Sequence, residues 1–338
     1  MKRHKICKII LAILAVFLCV AFYELIGICI TYKKQPAVSD ATIKETQNIM
    51  SVAGRENTER AVIIEKNSQA LLERVRLIQN AKDEIILSTF AFKSDESGKL
   101  ILGALYDAAD RGVHVRILVD GMESWIDMEG NPYFYGLSSH ENVEIKLYNK
   151  ANPLKPWKTM GRMHDKYLIA DGKIYILGGR NTYNYFLGDF PGHKNFDRDV
   201  LVVCDEPQKD NSVNQLLDYF ETIWKQEDCR YFHNSKKLAD RQSVKKAVLE
   251  LQKGYQQYFE VNKEKICDTD YADETFETEK ITLLSNPIHT GAKEPVVWYQ
   301  LGELMKNAKE RVKIHTPYII CNDMMYNTWK EIAERVPD

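Results

Sequence analysis

Residues 161–183 read GRMHDKYLIADGKIYILGGRNTY, and the fold is decided by how that stretch pairs with itself. His164, Lys166, Asp171, Gly178, Gly179 and Asn181 stand at fixed intervals, with alternating apolar residues filling the gaps. Asp171-Gly172 between two such runs is a two-residue hairpin signal. With those two residues as the turn, Ala170 faces Lys173, and the register carries Lys166 to Leu177, His164 to Gly179 and Arg162 to Asn181. Side chains alternate faces with a period of two, so His164, Lys166 and Asn181 emerge on one side of the ribbon. Gly179 supplies no side chain there, which leaves room for an anion touched by imidazole, ammonium and carboxamide. Any one of these residues alone is an ordinary solvated side chain; six at fixed spacing make a motif.

Outward from the hairpin, strand and helix patterns alternate. Residues 61–64 are a short strand and 68–81 a helix with Leu71, Leu72, Val75 and Ile78 on one face. Residues 84–90 are a strand, and 98–111 a helix closed by Gly112, a residue suited to a left-handed cap. Strands follow at 113–119, 143–148 and 200–203. An amphipathic helix at 215–225 carries Leu216, Leu217, Phe220, Ile223 and Trp224. This alternation predicts an α/β fold, a mixed β-sheet flanked by helices. Residues 121–135 and 149–160 read as long connections rich in aromatics: Trp125, Tyr133, Phe134, Tyr135 and Trp157. Such rings either cover a core or dip into a membrane interface, where amphipathic rings are favoured.

Residues 9–31 form an apolar run broken only by Glu24 and preceded by Lys2, Arg3, Lys5 and Lys8. It is long enough to cross about 30 Å of hydrocarbon. With no small-residue cleavage site after it, an uncleaved single-pass anchor is favoured over a secretory signal, and the basic flank places the N-terminus in the cytoplasm. The polar stretch 35–60 reads as a linker, and 230–278 as a helical connector. Of the 338 residues, 44% are hydrophobic and 28% charged, and the formal net charge of -2 offers no basic field for nucleic acid. The seven cysteines are scattered, with neither C-x-x-C pairs nor zinc spacing.

The stretch LMKNAKERVKIHT ending at Thr316 echoes LIQNAKDEIILST ending at Thr89 at a constant offset of 227 residues. Residues 279–338 therefore read as the start of a second copy of the first half, 61–229.

The pattern H-x-K-x-x-x-x-D-x-x-x-x-x-x-G-G-x-N, filled by His164, Lys166, Asp171, Gly178, Gly179 and Asn181, resembles the signature of the phospholipase D superfamily. RMHDKYLIADGKIYILGGRN and DESGKLILGALYDAADRGVHVRILVDG look more specifically like bacterial cardiolipin synthases of that type. The resemblance implies a membrane-anchored phosphodiesterase or phosphatidyltransferase working through a phosphohistidine intermediate. The implied catalytic set is His164, Lys166, Asp171, Asn181 and Asp199, with Gly178, Gly179 and Arg180 against the substrate. Asp199, with Asp197 in reserve, is placed to hold one imidazole nitrogen, while Asp171 supports the hairpin. No metal or other cofactor is implied, and the partners are a phospholipid such as phosphatidylglycerol and the membrane. Family members with two motifs build one site from two histidines; this sequence supplies one. The second histidine is then expected from a missing C-terminal half or from a homodimer. Two alternatives stand beside this reading, a nuclease of the same superfamily and a silent headgroup-binding module.

Overall fold

The computed structural model describes residues 2–51, 59–152, 154–233, 235–316 and 318–336; residues 52–58 of the expected linker lie outside that set. The elements run α1 (Lys2–Tyr32), α2 (Asp40–Ser51), β1 (Glu59–Ile64), α3 (Asn67–Asn80), β2 (Glu84–Thr89), α4 (Glu96–Asp110), β3 (His114–Asp120), α5 (Gly121–Asp127), α6 (Pro132–Ser138) and β4 (Val143–Tyr148). A short 3-10 turn (Pro156–Met160) precedes β5 (Tyr167–Ala170), β6 (Ile174–Gly178), β7 (Asp199–Cys204), α7 (Ser212–Trp224), β8 (Cys229–Tyr231), α8 (Lys236–Ala239), α9 (Gln242–Cys267), β9 (Phe276–Glu277), α10 (Val296–Lys306) and α11 (Asp323–Arg335). They fall into two units, residues 56–281 and residues 1–55 with 282–338.

The first unit is a mixed α/β sheet in the order β8-β4-β3-β2-β5-β6-β7-β1-β9. Strands β2, β3 and β4 are parallel, because helical crossovers connect them; β2 with β5, and β5 with β6 and β7, are antiparallel. Both faces are buried. Ile85 and Leu87 join a core with Leu71, Val75, Ile78, Leu105 and Leu251 from α3, α4 and α9. Their neighbour Ile86, equally buried, points to the other face. That face is covered by α7, where the Phe220 ring meets Tyr167 at 6.5 Å between centroids. The segment expected as a connector is packed into this unit: α9 lies so close to α4 that a Cβ on Gly103 would sit 2.7 Å from the Leu251 carbonyl oxygen.

Two expectations are corrected here. The hairpin turn takes in three residues, Asp171, Gly172 and Lys173, so Ala170 faces Ile174 and Tyr167, rather than Lys166, faces Leu177. The one-residue slip follows from Lys173, whose amide still bonds to the Ala170 carbonyl at 3.0 Å while its own carbonyl accepts from Cys204 of β7 at 2.8 Å. Residues 121–135 are also not an open connection. Asp120 caps α5 through the amides of Met122 and Glu123, and Asn131 caps α6 ahead of Pro132 at its first position.

In the second unit, α1 contains a 28-residue stretch, Lys5–Tyr32, long and apolar enough to cross a membrane. Helix α2 ties to the chain before α10 through Thr42, whose hydroxyl donates to Glu294 at 2.6 Å. Helices α10 and α11 fall where α3 and α4 fall when shifted by the sequence echo. They pack through Trp298 and Trp329, with ring centroids 5.3 Å apart. The segment echoing β2, residues 311–316, forms no strand. A strand needs a neighbour to satisfy its amides and carbonyls, and among the described residues this unit has none.

Candidate active site

The site gathers at the carboxyl ends of the parallel strands β2 and β3, where open α/β sheets leave room for ligands. Phe90, directly after β2, is its hub. The His164 imidazole meets the Phe90 ring edge-on at 4.6 Å, and the Lys166 ammonium stands 5.3 Å from the same ring. The Arg162 guanidinium lies over it at 4.9 Å. Asn181 arrives from beyond β6, its side-chain oxygen accepting the Ala91 amide at 3.2 Å. His164, Lys166 and Asn181 therefore converge around 90–91, by a route that the expected hairpin register did not contain.

Asp120, at the end of β3, holds the residues just before the histidine. Its carboxylate accepts from Arg162 Nη2 at 2.7 Å and from the Met163 amide at 3.1 Å, and Glu123 accepts from Arg162 at 3.1 Å. His164 itself is exposed, and among the described residues no hydrogen bond reaches either ring nitrogen. Partial burial, followed by the charge of Lys166, holds its pKa below the ordinary value; Asp120 opposes this, with smaller effects from Arg162, which lowers it, and Glu123, which raises it. The imidazole is thus neutral, with a lone pair available, at neutral pH. Lys166 is 7% exposed and donates to the His164 carbonyl at 2.6 Å. Burial lowers its pKa to about 8. It remains mostly charged at neutral pH, inside a site where a charge acts strongly.

The other expected residues lie elsewhere. Asp171 is at the far end of β5, roughly 16 Å along the strand from Lys166 at about 3.3 Å per residue. Its carboxylate accepts the amides of Lys82, Asp83 and Glu84, each at 2.9 Å, and so pins the entry to β2. Asp199, expected to hold the imidazole, is fully buried and paired instead with Arg74 at 2.9 Å and Arg180 at 3.3 Å. Both guanidiniums meet its Oδ2, and the carboxylate, out of solvent, is held by α3 and by the residue after Gly179. Arg180, expected against substrate, is 1% exposed and also donates to Asn67 Oδ1 and to the Ile64 and Glu65 carbonyls. Gly178 and Gly179 lie where residues 197–199 approach closely. Their missing side chains make way for Asp199 and Asp197. Among the described residues no group of three His, Cys, Asp or Glu side chains is placed to hold a metal ion.

Sequence reasoning missed Phe90, Asp120 and Glu123, and saw Arg162 only as a register position. The available signal was positional: Phe90 and Asp120 each stand at or just past the end of a strand followed by a helix.

Residues 75–224 match the family model described as cardiolipin synthase, PLD-like domain. A Helicobacter pylori protein described as uncharacterized is 26% identical over 308 residues, covering 81% of this chain and 57% of that one. Cardiolipin synthase C of Escherichia coli is 29% identical over 175 residues, covering 48% of this chain and 34% of the other. The solved structure of NucT from Helicobacter pylori aligns with a TM-score of 0.40 at 17% identity, over 52% of this chain and 99% of that one. The chain thus spans from about a third to just over half of the length of these curated relatives.

Proposed function

Residues 75–224 place the chain in the phospholipase D superfamily, among cardiolipin synthase-like domains, and from that premise we propose that the site transfers a phosphatidyl group between alcohols at a membrane. A neutral His164 attacks the phosphodiester phosphorus, the bond to the leaving alkoxide breaks, and a phosphatidyl-histidine forms. An acceptor hydroxyl then attacks phosphorus, its proton passes to the group that protonated the leaving alkoxide, and the bond from phosphorus to His164 breaks. With phosphatidylglycerol as both donor and acceptor the products are cardiolipin and glycerol; with water the reaction is a phospholipase D. Lys166 and the Asn181 amide nitrogen face the charge that grows on the non-bridging oxygens, each such donor contributing about 2.7–4 kcal/mol in comparable oxyanion sites.

The leaving alkoxide needs a proton. The four other histidines of the sheet unit are engaged elsewhere: His114 with Glu84 and Glu144, His140 with Asp110, His193 against Tyr185, and His233 with Glu129. We assign the proton donor to a second histidine from outside this unit, supplied by a second half or a second copy. The anchor reading of α1, with the amino terminus cytoplasmic, belongs to the same proposal and is supported by its length and its basic flank.

The observation that carries the reading is the exposed imidazole held on Phe90 beside a buried lysine. The test is to mix the chain with phospholipid labelled at phosphorus, quench in denaturant and map the acid-labile label. It should sit on His164 and vanish in His164→Asn. Label elsewhere, or none in the presence of measured turnover, overturns it.

A further inference from the structure

Ten large apolar side chains stand exposed in the described part of the sheet unit, and five of them, Trp125, Ile126, Leu154, Met160 and Phe196, are on segments tied to the residues beside His164. Singly exposed apolar residues are ordinary on any surface; half of them on one rim is not. Each is tied to the site through its own segment. Trp125 and Ile126 are on α5, whose cap Asp120 and first-turn Glu123 hold Arg162. Met160 lies two residues before Arg162, whose amide bonds to the Met160 carbonyl at 3.0 Å. Phe196 precedes Asp197, the residue packed against Gly179. Leu154 is 79% exposed and Trp125 63%, far beyond what a side chain covering a core would show.

The segment 150–160 adds charge to this apolar rim. It carries Lys150, Lys155 and Lys158 with no acidic residue among them, interleaved with Leu154, Trp157 and Met160. Lys158 is paired with Asp228 at 3.2 Å, while Lys150 and Lys155 are exposed. The base of the segment is fixed: Asn149 Nδ2 donates to the Gly161 carbonyl at 2.8 Å and to the Lys158 carbonyl at 2.5 Å. Tips of this composition on a held base match a lipid surface, where apolar side chains enter the acyl boundary and lysines meet anionic headgroups at about 1 kcal/mol each. The same chain carries a helix able to cross a bilayer, so a bilayer is the partner at hand.

We propose that the rim formed by α5 and residues 150–160 inserts into an anionic membrane surface around the mouth of the site. This docking surface stands independently of the phosphoryl-transfer reading. The experiment reconstitutes the full chain, wild type and Trp125→Phe, in vesicles of phosphatidylglycerol whose acyl chains carry bromine, a contact quencher of indole. The difference between the two emission spectra isolates Trp125. The expected result is loss of about half or more of that emission, since an inserted ring sits within about 5–10 Å of the acyl boundary. A tryptophan introduced by Leu154→Trp should be quenched in the same way. In vesicles of phosphatidylcholine, quenching should weaken, and Lys150→Gln with Lys155→Gln should abolish the difference between the two lipids. Unquenched Trp125 and Leu154→Trp emission overturns the proposal, even where His164 is labelled by phospholipid. Equal quenching in both lipids overturns the anionic preference. Burial of Trp125 without bromine quenching assigns the rim to a protein partner and equally overturns it.

Discussion

The two ends of the β5–β6 hairpin are built to opposite rules. At the turn, Asp171 makes three hydrogen bonds to successive backbone amides, and the chain around it is tied into β2 and β7. At the open end, His164 has no hydrogen-bond partner on its ring among the described residues, and Lys166 is buried with a lowered pKa. A polar group that is satisfied stabilises the fold, whereas one held ready but underused costs stability and is available for chemistry. The motif residues share one sequence signature yet divide along this line. Removing a residue from either end should therefore damage a different property.

The largest effect belongs to the open end. His164→Ala should lower phospholipid turnover by about 10⁴-fold or more, as losing a nucleophile does in other covalent enzymes. Its thermal midpoint should stay near wild type, since the side chain is exposed and its ring makes no hydrogen bond among the described residues. A radiolabelled-headgroup assay beside a melting curve checks both. Asp171→Ala should do the reverse. Three amides would lose a charged acceptor, and even with partial access of water the cost is about 2–4 kcal/mol in urea unfolding. The turnover of the folded fraction should hold. Equal loss of stability in both variants would erase the distinction between the two ends.

That division was only half legible in the sequence. The alternation of strand and helix, and their boundaries to within a few residues, followed from apolar period and from punctuation such as Gly112, whose φ is indeed positive at 93°. The register was not, because a two-residue and a three-residue turn are both compatible with Asp171-Gly172-Lys173, and β7 decides between them by accepting Lys173 into its ladder. The partners of Asp199 and Arg180 were hidden for a related reason. A carboxylate beside a strand reads as available until the residues opposite it are known, and Arg74 sits far away in sequence. Phe90 was missed because an aromatic residue at a strand end carries no chemical label of its own. Long-range packing, rather than local pattern, supplied each of these.

The pH dependence sharpens the account of the open end. His164, with its pKa below 6.5, must be neutral to attack, so the rate should rise with pH through an acid limb placed below that value. Lys166 must be charged to stabilise the transition state, so the rate should fall as pH climbs past about 8. Each limb approaches a tenfold change per pH unit, about 1.4 kcal/mol. In Lys166→Arg the charge persists at any accessible pH, and the alkaline limb should disappear from whatever activity remains. An alkaline limb unchanged in that variant would assign it to another group.

The smallest effect separates two adjacent glycines on the boundary between the ends. A Cβ on Gly178 would lie 2.6 Å from the Arg198 carbonyl oxygen and 2.7 Å from the Asp199 Cα, both backbone positions in a paired strand. That strand cannot retreat without drawing Asp199 off Arg74 and Arg180. On Gly179 the obstacle is the carboxylate of Asp197, the end of a half-exposed side chain that can rotate aside by giving up one hydrogen bond, from the Arg198 amide at 2.8 Å. Gly178→Ala should therefore cost about 3 kcal/mol and Gly179→Ala about 1 kcal/mol, the span expected for overpacking against rigid and yielding neighbours. Urea unfolding of the two variants measures the gap directly. A rotated Asp197 would also shift its charge relative to Lys166, whose pKa it helps to raise against the effect of burial. Gly179→Ala, the milder lesion to the fold, should consequently be the one of the pair that moves the alkaline limb, while Gly178→Ala lowers stability and leaves that limb where it is.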